Sequence, residues 1–164
     1  MDIEIRPVKP EDINYLIDVE IKCYEDVKGL DWWREILKNS DHYSVAAAVH
    51  KVPVGFIVWQ KAAYSGDGTD EFVAEIERIA VKPAFRRRGA GSLLLRDATV
   101  AAHTVGLHKL MLIVPESLCF PGHPNDVSEW LLHRNFRATG ILGQHFDSYG
   151  TKEDAFVFIG SGPS

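Results

Sequence analysis

The run from Glu75 to His103, EIERIAVKPAFRRRGAGSLLLRDATVAAH, constrains this chain more than any other segment. Its first part, to Val81, is apolar and β-branched enough to read as a strand, and Pro83 ends it. Three arginines and two glycines then make a turn, and Leu94, Ala98, Ala101 and Val105 recur at helical spacing, with Gly106 placed to cap the helix end. A turn that opens a helix leaves the first N–H groups of that helix without intrahelical partners, and the macrodipole puts positive charge behind them. Glycine lets a ligand approach the backbone, and Arg86, Arg87 and Arg88 bring guanidinium groups that pair with phosphate oxygens. Such an arrangement reads as a cradle for a diphosphate.

The other segments fall into place around it. At 164 residues, 46% apolar and 25% charged, the chain is expected to be one domain over residues 1–164 with a sizeable core. Ile3, Ile5 and Val8 suggest a first strand, and Pro10-Glu11-Asp12 opens a helix carrying Ile13, Leu16, Ile17 and Tyr24 on one face. A second helix is expected over Asp31–Leu37, then a hairpin of Tyr43–Val49 and Val54–Ala63 around Lys51-Val52-Pro53. Glu71–Val81 is a strand with an uneven pattern. After the long helix, Leu107–Val114 reads as a strand buried on both faces. Pro115–Asn125 is a loop, Asp126 with Glu129 resembles a helix start, and strands follow near Ala138–His145 and Asp154–Ile159. The order β-α-α-β-β-β-α-β-α-β-β predicts an α/β (α+β) fold: a mixed sheet of about seven strands with about four helices on both faces.

Several function classes fit poorly. A net charge of −5 argues against a nucleic-acid surface, since the dense basic run is confined to the cradle. Cys23 and Cys119 have no paired spacing, no apolar run approaches membrane length, and MDIEIRPV lacks a signal pattern, so a cytoplasmic protein without a membrane partner is expected. The seven histidines show no ligand spacing, so no metal is expected. A dinucleotide fold would need a third glycine where Leu94 stands, and a P-loop would need Gly-Lys-Ser/Thr.

Arg86-Arg87-Arg88-Gly89-Ala90-Gly91 matches the Q/R-x-x-G-x-G/A signature of the GNAT N-acetyltransferase superfamily, and Ile79-Ala80-Val81-Lys82-Pro83 resembles the strand end preceding it. IEIRPVKPEDINYLIDVE, EWLLHRNF and EDAFVF are similar to the first strand and helix, the last helix and the final strand of such enzymes, so the resemblance covers nearly the whole chain. The branch it most resembles is the bacterial ribosomal-protein N-terminal alanine acetyltransferases. The resemblance implies transfer of acetyl from acetyl-CoA, a cosubstrate, to a primary amine by direct attack on the thioester. It places pantetheine contacts at Ile79, Ala80 and Val81. Diphosphate contacts fall on the segment Arg86, Arg87, Arg88, Gly89, Ala90, Gly91 and Ser92.

Glu75 and Glu77 are two apart on one strand, so their carboxylates are expected on one side of the sheet. Glu75 stands where the histone-acetylating branch has its base, and both glutamates are candidates for the catalytic base; pairing with Arg78 or a lysine is the structural alternative. Two roles of the alanine-acetylating branch do not transfer, because its base and its acid tyrosine align with Ile113 and Leu131. Glu116, Cys119 and His123 in the long loop are possible replacements. Trp33, with Trp32 and Tyr24, and Tyr149 in the last turn are candidate walls of the acceptor site; core packing and an exposed turn aromatic are the alternatives.

An α-amine is roughly 10–15% neutral at pH 7, a lysine about 0.04%. A site lacking its branch's base and acid therefore suits an α-amine, and a protein or peptide N-terminus is the expected partner. A polyamine- or aminoglycoside-like amine and a non-catalytic acyl-CoA-binding module are the alternatives. The sequence leaves monomer and homodimer open.

Overall fold

A computed structural model describes residues 2–65, 70–115, 128–148 and 151–163. Among them, seven strands form one sheet: β1 (Glu4–Pro7), β2 (His42–Val49), β3 (Val52–Tyr64), β4 (Glu71–Val81), β5 (Leu110–Pro115), β6 (Phe136–Ser148) and β7 (Thr151–Gly160), in the spatial order β1-β2-β3-β4-β5-β7-β6. All neighbours are antiparallel except β4 and β5. The four α-helices among these residues are α1 (Ile13–Cys23), α2 (Leu30–Lys38), α3 (Ala90–Thr104) and α4 (Ser128–Leu132). The mixed seven-stranded sheet with four helices is the one the element order implied.

Strand alternation puts the two larger of three core clusters among the described residues on opposite faces of the sheet. Ala47, Ile57, Trp59, Ala74, Leu110 and Leu112 pack against Leu94, Leu95, Ala98 and Ala102 of α3 and Leu131 of α4. Their neighbours Ala46, Phe56 and Val58 face the opposite side, against Leu16 and Val19 of α1 and Trp33 and Ile36 of α2. Each large aliphatic residue so buried contributes about 1.5–3 kcal/mol relative to exposure, which fixes the strand register and the helix positions together.

The parallel pair β4 and β5 needs a crossover, and α3 supplies it. The helix ends as Gly106 predicts: its φ is +85°, its N–H bonds the His103 carbonyl at 3.0 Å, and the Leu107 N–H bonds the Ala102 carbonyl at 2.9 Å. Leu107 therefore belongs to the cap, and β5 starts at Leu110 rather than at 107 as expected. The last two strands are longer than the sequence pattern suggested, and α4 ends at Leu132 rather than at Arg134.

Two irregularities in β4 prepare the site. Val58 of β3 lies opposite Arg78, but the next residue, Trp59, lies opposite Ile76, so Glu77 is an extra residue in a bulge. Ile76 packs toward α3, whereas Arg78 reaches Glu20 of α1 on the other face, so the bulge inverts the alternation. In addition, β4 pairs with β5 over only three positions, Ala74 to Ile76 against Leu110 to Leu112. Beyond Ile76, β4 continues against β3 and β5 against β7, and an opening forms between them.

Candidate active site

The glycine turn stands at the end of β4, beside this opening. Pro83–Phe85 forms a 3₁₀ turn, and Arg86 folds back so that its Nε donates to the Val81 carbonyl at 2.9 Å. Arg87 has φ +61° and Gly89 φ +89°, two left-handed residues with one between them. This coil brings successive N–H groups to one side, as anion-binding backbone concavities do. Around Gly89 a Cβ would meet open space, so glycine is required there by its dihedral and not by crowding. The Gly89 carbonyl accepts the Leu93 N–H at 2.9 Å to start α3, and no side chain caps that helix end. Ala90, Gly91 and Ser92 are thus the first residues of an uncapped helix, with Arg87 and Arg88 exposed in front.

Ile79 and Val81 lie along the open edge of β4. Their carbonyls turn away from β3: Tyr24 Oη donates to Ile79 at 2.7 Å, while the Cys23 thiol, at 3.4 Å, and Arg86 hold Val81. In a strand the N–H of a residue projects with its carbonyl, so the amides of Ile79 and Val81 lie on the same edge. Ala80 does not share this placement. It stands opposite Phe56 with its side chain buried beneath α1, so alternation turns its main chain toward β3. Burial pushes the Tyr24 hydroxyl up to about 12, which keeps it protonated and donating. Burial likewise raises the Cys23 thiol, outweighing the neighbouring Arg86, which acts the other way.

The carboxylates lie on the α1 and α2 face. Glu75 alternates with Ala74 and Ile76 and stands opposite Gln60. Glu77, although in the bulge, reaches the same face and accepts a 2.9 Å contact from His42 Nε2 of β2; the His42 Nδ1 atom is buried without a partner among the described residues. The expectation that the two glutamates share a side is met, with the bulge sending Arg78 to that side too. Ile113 is half-buried, and Leu131, where the branch has its acid tyrosine, is a fully buried core residue.

Trp33 is not a pocket wall. It is 0% exposed, lies edge-on to Phe56, and donates Nε1 to Glu20 at 3.1 Å. That buried Glu20 also accepts from Arg78 Nη1 at 3.2 Å and from the Lys28 amide at 3.2 Å, while Arg78 Nη2 pairs with Asp26 at 2.9 Å and its guanidinium lies over the Tyr24 ring at 4.3 Å. One arginine of β4 thereby anchors the whole connection between α1 and α2. Sequence reasoning missed this network; its one visible sign is a glutamate four residues after Leu16 on an apolar helix face. Glu116, Cys119, His123 and Tyr149 lie outside the described residues.

A model of the Acetyltransferase (GNAT) family matches residues 12–118, which span α1 through the glycine turn to β5. The chain belongs to the GNAT acetyltransferase family. Among solved structures, it resembles Arabidopsis thaliana NAA60 in complex with a bisubstrate analogue, at 18% identity, covering 96% of this chain and 97% of that one with a TM-score of 0.79. It also resembles the ribosomal-protein-S18-alanine N-acetyltransferase of Escherichia coli, at 15% identity, 99% and 96% coverage and a TM-score of 0.76. Arabidopsis thaliana Naa50, in complex with the bisubstrate analogue CoA-Ac-MVNAL, superimposes with a TM-score of 0.75 at 15% identity and 98% and 99% coverage. These likenesses show that this GNAT chain has the same fold end to end, including the β6–β7 pair beyond the family match.

Proposed function

We propose that the chain transfers the acetyl group of acetyl-CoA to the free α-amine of a protein or peptide N-terminus. The observation that carries the reading is the opening between β4 and β5, with an uncapped helix at one end and carboxylates on the face toward α1 and α2. Likeness over the whole chain to proteins solved with bisubstrate analogues supports it.

The residues present fit the cosubstrate. The coil from Arg86 to Ser92 offers N–H groups and positive charge to a diphosphate, and Gly89 permits its dihedral. The amides of Ile79 and Val81 would hold the pantetheine arm along the edge of β4. When bound, acetyl-CoA supplies a thioester whose C–S bond breaks as the amine nitrogen bonds to the acetyl carbon. Glu75, on the acceptor face where β4 and β5 part, takes the proton that the ammonium sheds, and Glu77, held by His42, is the second acceptor within the same wall. Leu131 has no proton to give, and a leaving thiol of pKa about 8.5 can take its proton from solvent instead. Peptide specificity arises in the connection between α1 and α2 that Arg78 anchors.

The test is release of free coenzyme A thiol from acetyl-CoA with four acceptors: peptides with free N-termini, N-terminally blocked lysine peptides, polyamines and aminoglycosides. Turnover of free N-termini above the others is the expected result. Turnover confined to polyamines or aminoglycosides, or cofactor binding with no thiol release, contradicts it.

A further inference from the structure

Arg134 follows α4 and sits against the first turn of α3. Its Nε and Nη2 both donate to Ser92 Oγ, at 3.1 and 2.7 Å, its Nη1 donates to the Trp130 carbonyl at 3.0 Å, and its guanidinium lies over the Trp130 ring at 4.5 Å. Trp130 in turn touches the cradle, its ring 3.5 Å from where a Cβ on Gly91 would lie. Each of these partners is neutral. Arg6, by comparison, is gripped by Asp12, and Arg78 by Glu20 and Asp26, whereas among the described residues no carboxylate pairs with Arg134.

This placement is electrostatically unfavourable in the protein by itself. Ser92 is the third residue of α3, where the macrodipole presents roughly half a positive charge, so a fixed guanidinium there is repelled. Burial draws the Arg134 guanidinium below its ordinary value, and among the described residues no acid raises it. A guanidinium has five N–H donors, of which three are used among the described residues, leaving two for a ligand. Ser92, accepting two donors from Arg134, has its own hydroxyl proton left to give to another acceptor.

We propose that Arg134 is a cofactor-binding residue, pairing with the diphosphate of coenzyme A at the N-terminus of α3 and aiming the Ser92 hydroxyl at the same group. A dianion attracts both the guanidinium and the helix end, which offsets their mutual repulsion and the cost of desolvation, and it can accept from the two remaining donors. The proposal rests on the cofactor site described above, and it assigns a residue outside the glycine turn to that site. Trp130, whose ring lies beneath the guanidinium, holds the cation beside the cradle before the cofactor arrives.

Calorimetry of coenzyme A binding tests it, with wild type, Arg134→Gln, Arg134→Lys and Ser92→Ala at low and at high salt. Arg134→Gln is expected to weaken binding roughly 10-fold or more at low salt, the scale of a lost charge-assisted bond, with the deficit shrinking at high salt as charge is screened. Arg134→Lys retains part of the affinity. Ser92→Ala, which removes the anchor with little effect on folding, weakens binding several-fold. Equal affinity of folded Arg134→Gln and wild type overturns the proposal, as does a deficit of the same size at both salt concentrations. Absence of heat with wild type is a different result, which removes the cofactor site itself.

Discussion

Arg78 and Arg134 are both guanidiniums withdrawn from bulk water, one against the connection between α1 and α2 and the other against the first turn of α3. Arg78 meets two carboxylates and an aromatic ring, so its charge is satisfied within the protein, and its work is to hold the connection between α1 and α2 against β4. Arg134 meets a hydroxyl, a carbonyl and an aromatic ring. A neutralised arginine is part of the scaffold, whereas one at a helix N-terminus with no acid paired to it among the described residues suits the anionic ligand proposed above. The acceptor wall is therefore expected to respond to mutation through stability and turnover, and the cradle through cofactor affinity.

The largest expected effect would break this division if it appeared in the wrong quantity. Glu20→Gln leaves Arg78 buried with only the exposed Asp26 and is expected to cost about 3–5 kcal/mol, lowering the melting temperature by about 10 °C. In the fraction that remains folded, coenzyme A affinity should be unchanged. Next, Glu75→Gln should reduce kcat/KM about 100-fold or more with an unchanged dissociation constant for acetyl-CoA; full activity at every pH would remove Glu75 from the mechanism. Smaller still, Gly89→Ala forces a Cβ into a left-handed dihedral and should destabilise by about 1–2 kcal/mol, with weaker coenzyme A binding because the coil relaxes.

The smallest concerns a pair remote from the site and serves as a control. Burial pushes the Asp12 carboxyl up, but hydrogen bonds from Arg6 and the Lys9 amide outweigh it and hold it below its ordinary value. A depressed carboxyl contributes stability above its unfolded pKa, about 3.9, and loses it as pH falls through the lower folded value. Asp12→Asn should flatten the acid limb of the unfolding curve below about pH 4, leaving coenzyme A binding at neutral pH untouched.

Much of this architecture was legible in the residues because it depends on local pattern. The strand, glycine turn and helix around Gly89 are contiguous, and Gly106 marks its helix end as read. The uneven pattern of Glu71–Val81 already carried the bulge at Glu77, although periodicity alone could not say that Arg78 would join the glutamates' face. What remained hidden depends on distance along the chain. Arg78 and Glu20 are 58 residues apart, and Ser92 and Arg134 are 42 apart, so neither pairing leaves a spacing to read. Trp33 misled for a related reason: an aromatic beside a helix start suits a pocket or a core equally, and only the partner for its indole N–H, Glu20, decides between them.

The most direct measurement is amide protection, followed residue by residue, on adding acetyl-CoA. Slowed exchange and shifted resonances should concentrate at Ile79, Val81 and Arg86 to Ser92, with Arg134 side-chain signals moving alongside them. Saturable binding that leaves those amides unchanged, while perturbing residues elsewhere on the sheet, would contradict placement of the cofactor between β4 and the first turn of α3.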